Sequence, residues 1–203
     1  MSINININLC LKSFNCRGLR NKIKRQSIFN WLNDQNKSIC LLQETHSCEL
    51  DEKQWQLEFN GDIFYSHGTC NSKGVAILIP KSLKTELEIK NTYKDKDARI
   101  LTINCIREKR PLTIINVYAP TKDNSKAQLE FGDILSEIVE RNSDTPLIIG
   151  GDFNVCLNPM LDKKGNNIVS CGNYRNKLLD LVEEYDLVDI WRLRNKGKKQ
   201  FTW

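Results

Sequence analysis

The sequence predicts an α/β domain of the α+β kind, in which mixed β-sheets lie under a cover of helices. Three observations carry that prediction. Apolar, β-branched runs alternate with segments of helical period, and some of the runs come as hairpin-like pairs, so a purely parallel fold does not fit. The run Leu147-Ile148-Ile149 is continuously apolar, as in a strand buried on both faces; Gly150 and Gly151 follow it directly, and the chain is then expected to turn sharply. The 203 residues are 40% hydrophobic and 27% charged, an ordinary globular composition, and they suffice for one large domain with a sizeable core.

Along the chain, the first strand is expected over about residues 8–15, Leu9 to Asn15, with Gly18 marking the turn behind it. Ile28, Trp31 and Leu32 recur at helical spacing after Asn21, a plausible cap, which predicts a helix over about 22–35. Ser38 to Leu42 is a short apolar strand ending in Gln43-Glu44-Thr45-His46. A short helix is predicted over Asp51 to Leu57, then strands over Asp62 to Ser66 and Gly74 to Ile79, the latter closed by Pro80. Leu83 to Lys90 alternates as a half-exposed segment would, and Lys94 to Asp97 is a polar loop. Arg99 to Ile106 and Leu112 to Val117 are β-branched runs joined by a charged turn, the second followed by Tyr118-Ala119-Pro120. Phe131, Ile134, Leu135 and Ile138 mark a helix within about 125–142. Beyond Asn154, an irregular stretch from Leu157 to Cys171 precedes a helix marked by Leu178, Leu181, Val182 and Tyr185. A short strand is expected at Leu187 to Trp191, and another is expected to start at Phe201-Thr202-Trp203.

Several function classes are excluded by composition. No run is long and apolar enough to span a bilayer, and the N-terminus lacks the basic start, apolar centre and small-residue cleavage site of a signal peptide. An intracellular protein, nuclear or cytoplasmic and not secreted, is therefore expected. Eight cysteines never form a C-x-x-C pair, so free buried thiols are expected rather than zinc ligands. The net charge of +5 is mild and says only that polyanions are not repelled. Its distribution says more: Arg17, Arg20, Lys22, Lys24 and Arg25 cluster behind the first strand, and Lys196, Lys198 and Lys199 near the end.

Four strand ends carry polar side chains: Asn15, Glu44, Tyr118, and the pair Asp152 and Asn154. An isolated Gly-Asp would simply make a turn, but several polar strand ends in one domain need a shared reason, because buried-edge carboxylates and amides are costly without partners. A hard divalent cation with a phosphodiester would satisfy them all. Glu44 and Asp152 would give oxygen ligands to Mg²⁺, and Asn15, Asn154 and Tyr118 would give hydrogen-bond donors to phosphate oxygens.

The blocks Phe14-Asn15-Cys16-Arg17-Gly18-Leu19, Gln43-Glu44-Thr45-His46, Asn116-Val117-Tyr118-Ala119-Pro120 and Gly151-Asp152-Phe153-Asn154 resemble, in order and spacing, the signature blocks of the endonuclease/exonuclease/phosphatase superfamily. Within it the chain is most similar to the apurinic-like endonuclease domain of LINE-type non-LTR retrotransposon polyproteins. Lys73 to Ile79, the segment from Leu157 to Gly165, and the ending Leu187 to Trp203 add to the resemblance, which covers nearly the whole chain. It implies a four-layered α/β sandwich of two mixed sheets flanked by helices, and a metal-dependent nuclease that nicks DNA to prime reverse transcription. Its implied partners are DNA and a downstream reverse transcriptase domain in the same polyprotein, and its implied cofactor is Mg²⁺, with Mn²⁺ an alternative.

Carried over position by position, the resemblance makes Glu44 the metal ligand and has Asp152 position or deprotonate the attacking water, close to the metal. Asn154 and Tyr118 would bond the scissile phosphate, and Asn15 would support the metal and phosphate end. Arg20, Lys22 and Arg25 would contact the nucleic-acid backbone. His46 would brace the Glu44 loop, and His67 is expected to have only a surface or turn role. Two departures from the family pattern shape the expectation. Arg17 stands where base-repair members have an acidic residue, which favours the retroelement reading. The family's final blocks, which carry an Asp and a His, would lie beyond Trp203, so residues 1–203 are expected to form a single domain that lacks its last strands and has impaired activity. Other phosphatase or exonuclease III-like activities of the superfamily, and a non-catalytic nucleic-acid-binding remnant, are the alternatives.

Overall fold

Each apolar run between residues 9 and 152 becomes a strand, and the strands divide between two mixed sheets. The computed structural model describes residues 9–35, 37–162 and 172–199. β1 (Cys10–Asn15), β2 (Ser38–Gln43), β3 (Gly61–Ser66) and β4 (Val75–Pro80) form a first sheet in the order β1-β2-β4-β3. β5 (Leu87–Lys94), β6 (Ile100–Arg107), β7 (Arg110–Tyr118) and β8 (Leu147–Asp152) form a second in chain order. Each sheet contains one parallel pair at its edge, β1 with β2 and β7 with β8, and its other pairings are antiparallel.

The chain forms two compact units. One comprises Met1–Tyr118 with Thr145–Asp152 and holds both sheets; the other comprises Ala119–Asp144 with Phe153–Trp203. In the first unit, β2 and β4 are buried along their whole length, and side-chain alternation gives each strand two apolar faces. Ile39, Leu41, Val75 and Ile77 join Leu101, Ile103 and Ile114 in a core between the sheets. Cys40, Leu42 and Leu78 turn the other way, onto the helices α1 (Lys22–Asp34) and α2 (Glu52–Glu58), where they meet Phe29, Leu32 and Trp55. Each fully buried side chain of this size contributes about 1.5–3 kcal/mol. Asn21 caps α1 as its sequence position suggests, its side-chain oxygen accepting the Lys24 N–H at 3.0 Å.

The second unit is helical, with α3 (Ser125–Arg141), α4 (Pro159–Asp162), α5 (Asn173–Glu184) and α6 (Ile190–Arg194). α3 packs on α5 through an edge-to-face contact of Phe131 and Tyr174, and Lys177 pairs with Asp133. α6 corrects one expectation. The segment from Leu187 to Trp191 is not a strand, because Asp189 accepts the Arg192 N–H and so starts a short helix there. The strand expected to start at Phe201, and Cys171, lie outside the described residues.

The two glycines extend the strand: β8 continues through Gly150 and Gly151 to Asp152, and the chain bends beyond it. A Cβ at position 150 would lie 2.5 Å from Leu41 Cδ1, and one at 151, where φ is +141°, would lie 2.0 Å from the Val117 carbonyl oxygen. Glycine is required there by close packing, first between the sheets and then along β7.

Candidate active site at the strand ends

The register of the two parallel pairs assembles the site. Asn15 lies opposite Gln43 in one pair, and Tyr118 opposite Asp152 in the other, so all four strands finish together. β1 packs against β8 and β2 against β7, which brings the carboxyl ends from the two sheets side by side. Behind them sits a fully bonded buried polar network. Gln43 Nε2 donates to Asn116 Oδ1 at 2.8 Å, and Asn116 Nδ2 donates to the carbonyls of Leu42 and Ala76, both at 2.9 Å. These bonds tie β2 and β4 to β7 directly beneath the site.

At its centre, one amide holds two carboxylates. Asn15 Nδ2 donates to Glu44 Oε1 at 2.9 Å and to Asp152 Oδ2 at 2.9 Å. Asn15 Oδ1 in turn accepts the Arg17 N–H at 3.0 Å, so both ends of the amide are committed. Asn15, expected to support the metal and phosphate end, thus bridges the Glu44 and Asp152 carboxylates through its amide nitrogen. Glu44 sits at φ 51°, a left-handed conformation unusual for a residue with a side chain, and its carbonyl accepts the Gly18 N–H at 2.7 Å. His46 Nε2 lies 3.9 Å from Glu44 Oε2.

Tyr118 faces the same carboxylates. Burial first, then a hydrogen bond donated to Glu44 and the nearby negative charges, pushes its phenol up to about 12, so it is protonated and able to donate at neutral pH. Arg99 holds it from the other side. The Arg99 guanidinium stands 5.0 Å from the centre of the Tyr118 ring, and Nη1 donates to the Tyr118 carbonyl at 3.0 Å. Arg99 has no motif of its own in the sequence; the hairpin pairing of the two β-branched runs sets it across from Tyr118. Asn154 belongs to the second unit, where its Nδ2 donates to the Ala119 carbonyl at 2.7 Å.

A sequence model of the endonuclease/exonuclease/phosphatase family matches residues 3–168. The chain belongs to this family. A curated relative, the uncharacterized 149 kDa protein of transposon TX1 from Xenopus laevis, is 32% identical over 197 residues; the match covers 96% of this chain and 14% of that protein. Among solved structures, an AP endonuclease from Archaeoglobus fulgidus matches with a TM-score of 0.65 and 20% identity, over 91% of this chain and 74% of that one. The 3′ phosphatase NExo from Neisseria, bound to a product DNA hairpin, matches with a TM-score of 0.60 and 17% identity, over 84% of this chain and 69% of that one. At these identities the two structures establish the fold that the chain shares with the family.

The basic cluster of this family member divides on inspection. Arg20 and Lys22 are exposed. Arg25 is buried: its Nε and Nη2 grip both oxygens of Glu58 at 2.6 and 3.0 Å, Nη1 donates to the Leu19 carbonyl at 3.1 Å, and the guanidinium lies over Trp55. Arg25 therefore leaves the set of nucleic-acid contacts, because its donors are used inside the fold. Among the described cysteines none forms a disulfide, and burial pushes the thiols of Cys16, Cys40 and Cys105 up to about 12, 11 and 11. No helix among the described residues is long and apolar enough to cross a membrane.

Proposed function

We propose that this chain is a metal-dependent phosphodiesterase that nicks DNA, as an element needs for target-primed reverse transcription. The observation that carries the reading is the single neutral amide of Asn15 shared by Glu44 and Asp152. Two carboxylates oriented within two hydrogen bonds of each other repel, and a divalent cation relieves that repulsion. The donor set is all hard oxygen, which fits Mg²⁺ or Mn²⁺. Among the described residues no cluster of three or more His, Cys, Asp or Glu side chains is present, which suits a cation that keeps most of its water. Glu44 and Asp152 would hold it, and when bound it supplies positive charge to the phosphate and a more acidic water.

The chain's own groups account for the rest. Asp152 accepts a proton from the attacking water, whose oxygen bonds to phosphorus as the bond to the 3′ oxygen breaks. The departing oxygen takes a proton from solvent and leaves a 3′ hydroxyl fit for priming. Tyr118, held protonated, donates to a non-bridging phosphate oxygen, and Arg99 keeps the phenol in place. Asn154, two residues beyond Asp152 in sequence, is assigned to the same phosphate. Arg20 and Lys22 meet the DNA backbone on either side. His46, whose Nε2 lies 3.9 Å from Glu44 Oε2, is assigned to bracing the loop of that carboxylate. The transposon relative favours a retroelement protein, in which a reverse transcriptase on the same polypeptide would use the nick.

Nicking of supercoiled plasmid tests the reading. Conversion to open circles in Mg²⁺ or Mn²⁺ is expected, abolished by EDTA and by Asp152→Ala. Salt-dependent DNA binding with no cleavage above the Asp152→Ala background, in either metal, would replace it with a non-catalytic nucleic-acid-binding role.

A further inference from the structure

The inward side of the loop that carries Glu44 holds a chain of hydrogen bonds that the proposed chemistry does not use. Thr45 and Ser47 are wholly buried, and buried hydroxyls require partners. Thr45 Oγ1 lies 3.0 Å from Ser47 Oγ, Ser47 Oγ lies 2.9 Å from His67 Nδ1, and His67 Nε2 lies 2.7 Å from Glu52 Oε1 on α2. An ionised carboxylate only accepts, so Nε2 donates to Glu52, and the bonds together join the loop to the helix. The His67 ring stacks on Tyr65 with centroids 4.9 Å apart, which fixes its plane.

Ser, His and Glu in this sequence of bonds have the order of a hydrolase triad, but Ser47 has no exposed surface and no substrate can reach it. The arrangement acts on the loop instead. Thr45 and Ser47 alternate with Glu44 and His46, which have φ of 51° and 52°. Left-handed residues with side chains are strained and persist only where their surroundings over-determine them. The inward hydroxyls supply that constraint. They hold every second residue of the loop inside, so that Glu44 and His46 turn outward, the Glu44 carboxylate to Asn15.

We propose that Ser47, His67 and Glu52 are positioning residues for Glu44, a relay from α2 that sets the carboxylate for a divalent cation. The inference rests on the reading of Glu44 as a metal ligand. His67 thus gains a role beyond the surface position expected from sequence.

Mn²⁺ binding to the intact chain without DNA, followed by the electron paramagnetic resonance of free Mn²⁺, tests the relay, with melting temperatures measured alongside. His67→Ala is expected to weaken Mn²⁺ binding about tenfold. His67→Asn, which returns a hydrogen-bonding group to the place of Nδ1, is expected to recover most of that loss. Ser47→Ala should add nothing further in the His67→Ala background. Glu52→Ala, at an exposed helix position that leaves folding intact, should weaken binding severalfold. Unchanged affinity in His67→Ala and Glu52→Ala, with binding lost in Glu44→Ala, would overturn the relay and leave the metal site standing. Unchanged affinity in Glu44→Ala would remove the metal-ligand reading, and the relay with it.

Discussion

Between α1 and α2, Glu58 meets a full positive charge in the two-pronged grip of Arg25, whereas at the strand ends Glu44 and Asp152 share the neutral amide of Asn15. The first arrangement closes on itself. Its guanidinium holds the Glu58 carboxyl below its ordinary value, chiefly by hydrogen bonding, and Glu58 in turn raises Arg25. The second arrangement fixes its carboxylates in direction. A neutral donor orients an anion without cancelling it, so one pair builds the fold and the other suits the cation proposed above.

The largest effect that would sharpen this contrast is expected at Glu44. Glu44→Ala should lower metal-supported nicking by roughly a thousandfold while leaving the melting temperature unchanged or slightly raised, since a repulsion is relieved. A large drop in melting temperature instead would mean that the strand-end carboxylates serve the fold as Glu58 does. Glu58→Gln should do the reverse, costing about 2 kcal/mol of stability with little effect on the activity of the folded fraction. Because Glu58 is depressed in the fold, its contribution is complete above the ordinary glutamate range and is lost as the pH falls below about 4. The acid limb of the stability curve, measured by urea unfolding, should therefore flatten in Glu58→Gln.

Tyr118→Phe should cost about ten- to a hundredfold in single-turnover rate, less than the loss of either carboxylate. The Tyr118 phenol is raised to about 12, so its stabilisation of the fold is complete below pH 10 and disappears as the pH rises through 12. An ultraviolet titration should show one fewer late-ionising phenol in the variant. The smallest effects belong to the exposed cations. Arg20→Ala and Lys22→Ala should each reduce the salt dependence of DNA binding by about one phosphate contact, with stability unchanged. Arg25→Ala should lower stability first, and an Arg25 variant that keeps its melting temperature while losing DNA affinity would break the division drawn here.

The strand ends were legible because their signal is local. An apolar run that stops at a polar residue marks both a strand and the position of that residue, and Asn15, Glu44, Tyr118 and Asp152 all stand where such runs stop. Arg25 was not legible, since its neighbours Arg20 and Lys22 look alike in sequence; only the docking of α1 on α2 decides which guanidinium faces Glu58. The same holds for His67, whose partners Ser47 and Glu52 come from a loop and a helix about twenty and fifteen residues away. The packing role of Gly150 and Gly151 was not legible for a related reason: glycine serves both turns and the close approach of packed strands, and a single sequence does not distinguish the two.

Local sequence alone therefore determined the α/β class, the order of the strands, the cap on α1 and the residues offered at the strand ends, because periodicity and chain-stopping chemistry act over a few residues. Tertiary structure decided which of those residues meet. It set the parallel registers that align Asn15 with Gln43 and Tyr118 with Asp152, the packing of β1 on β8 that lets one amide reach two carboxylates, and the burial that turns one arginine into a strut and leaves its neighbours exposed. Contacts between residues more than a hundred positions apart depend on how sheets and helices pack, and that packing has no short-range signature.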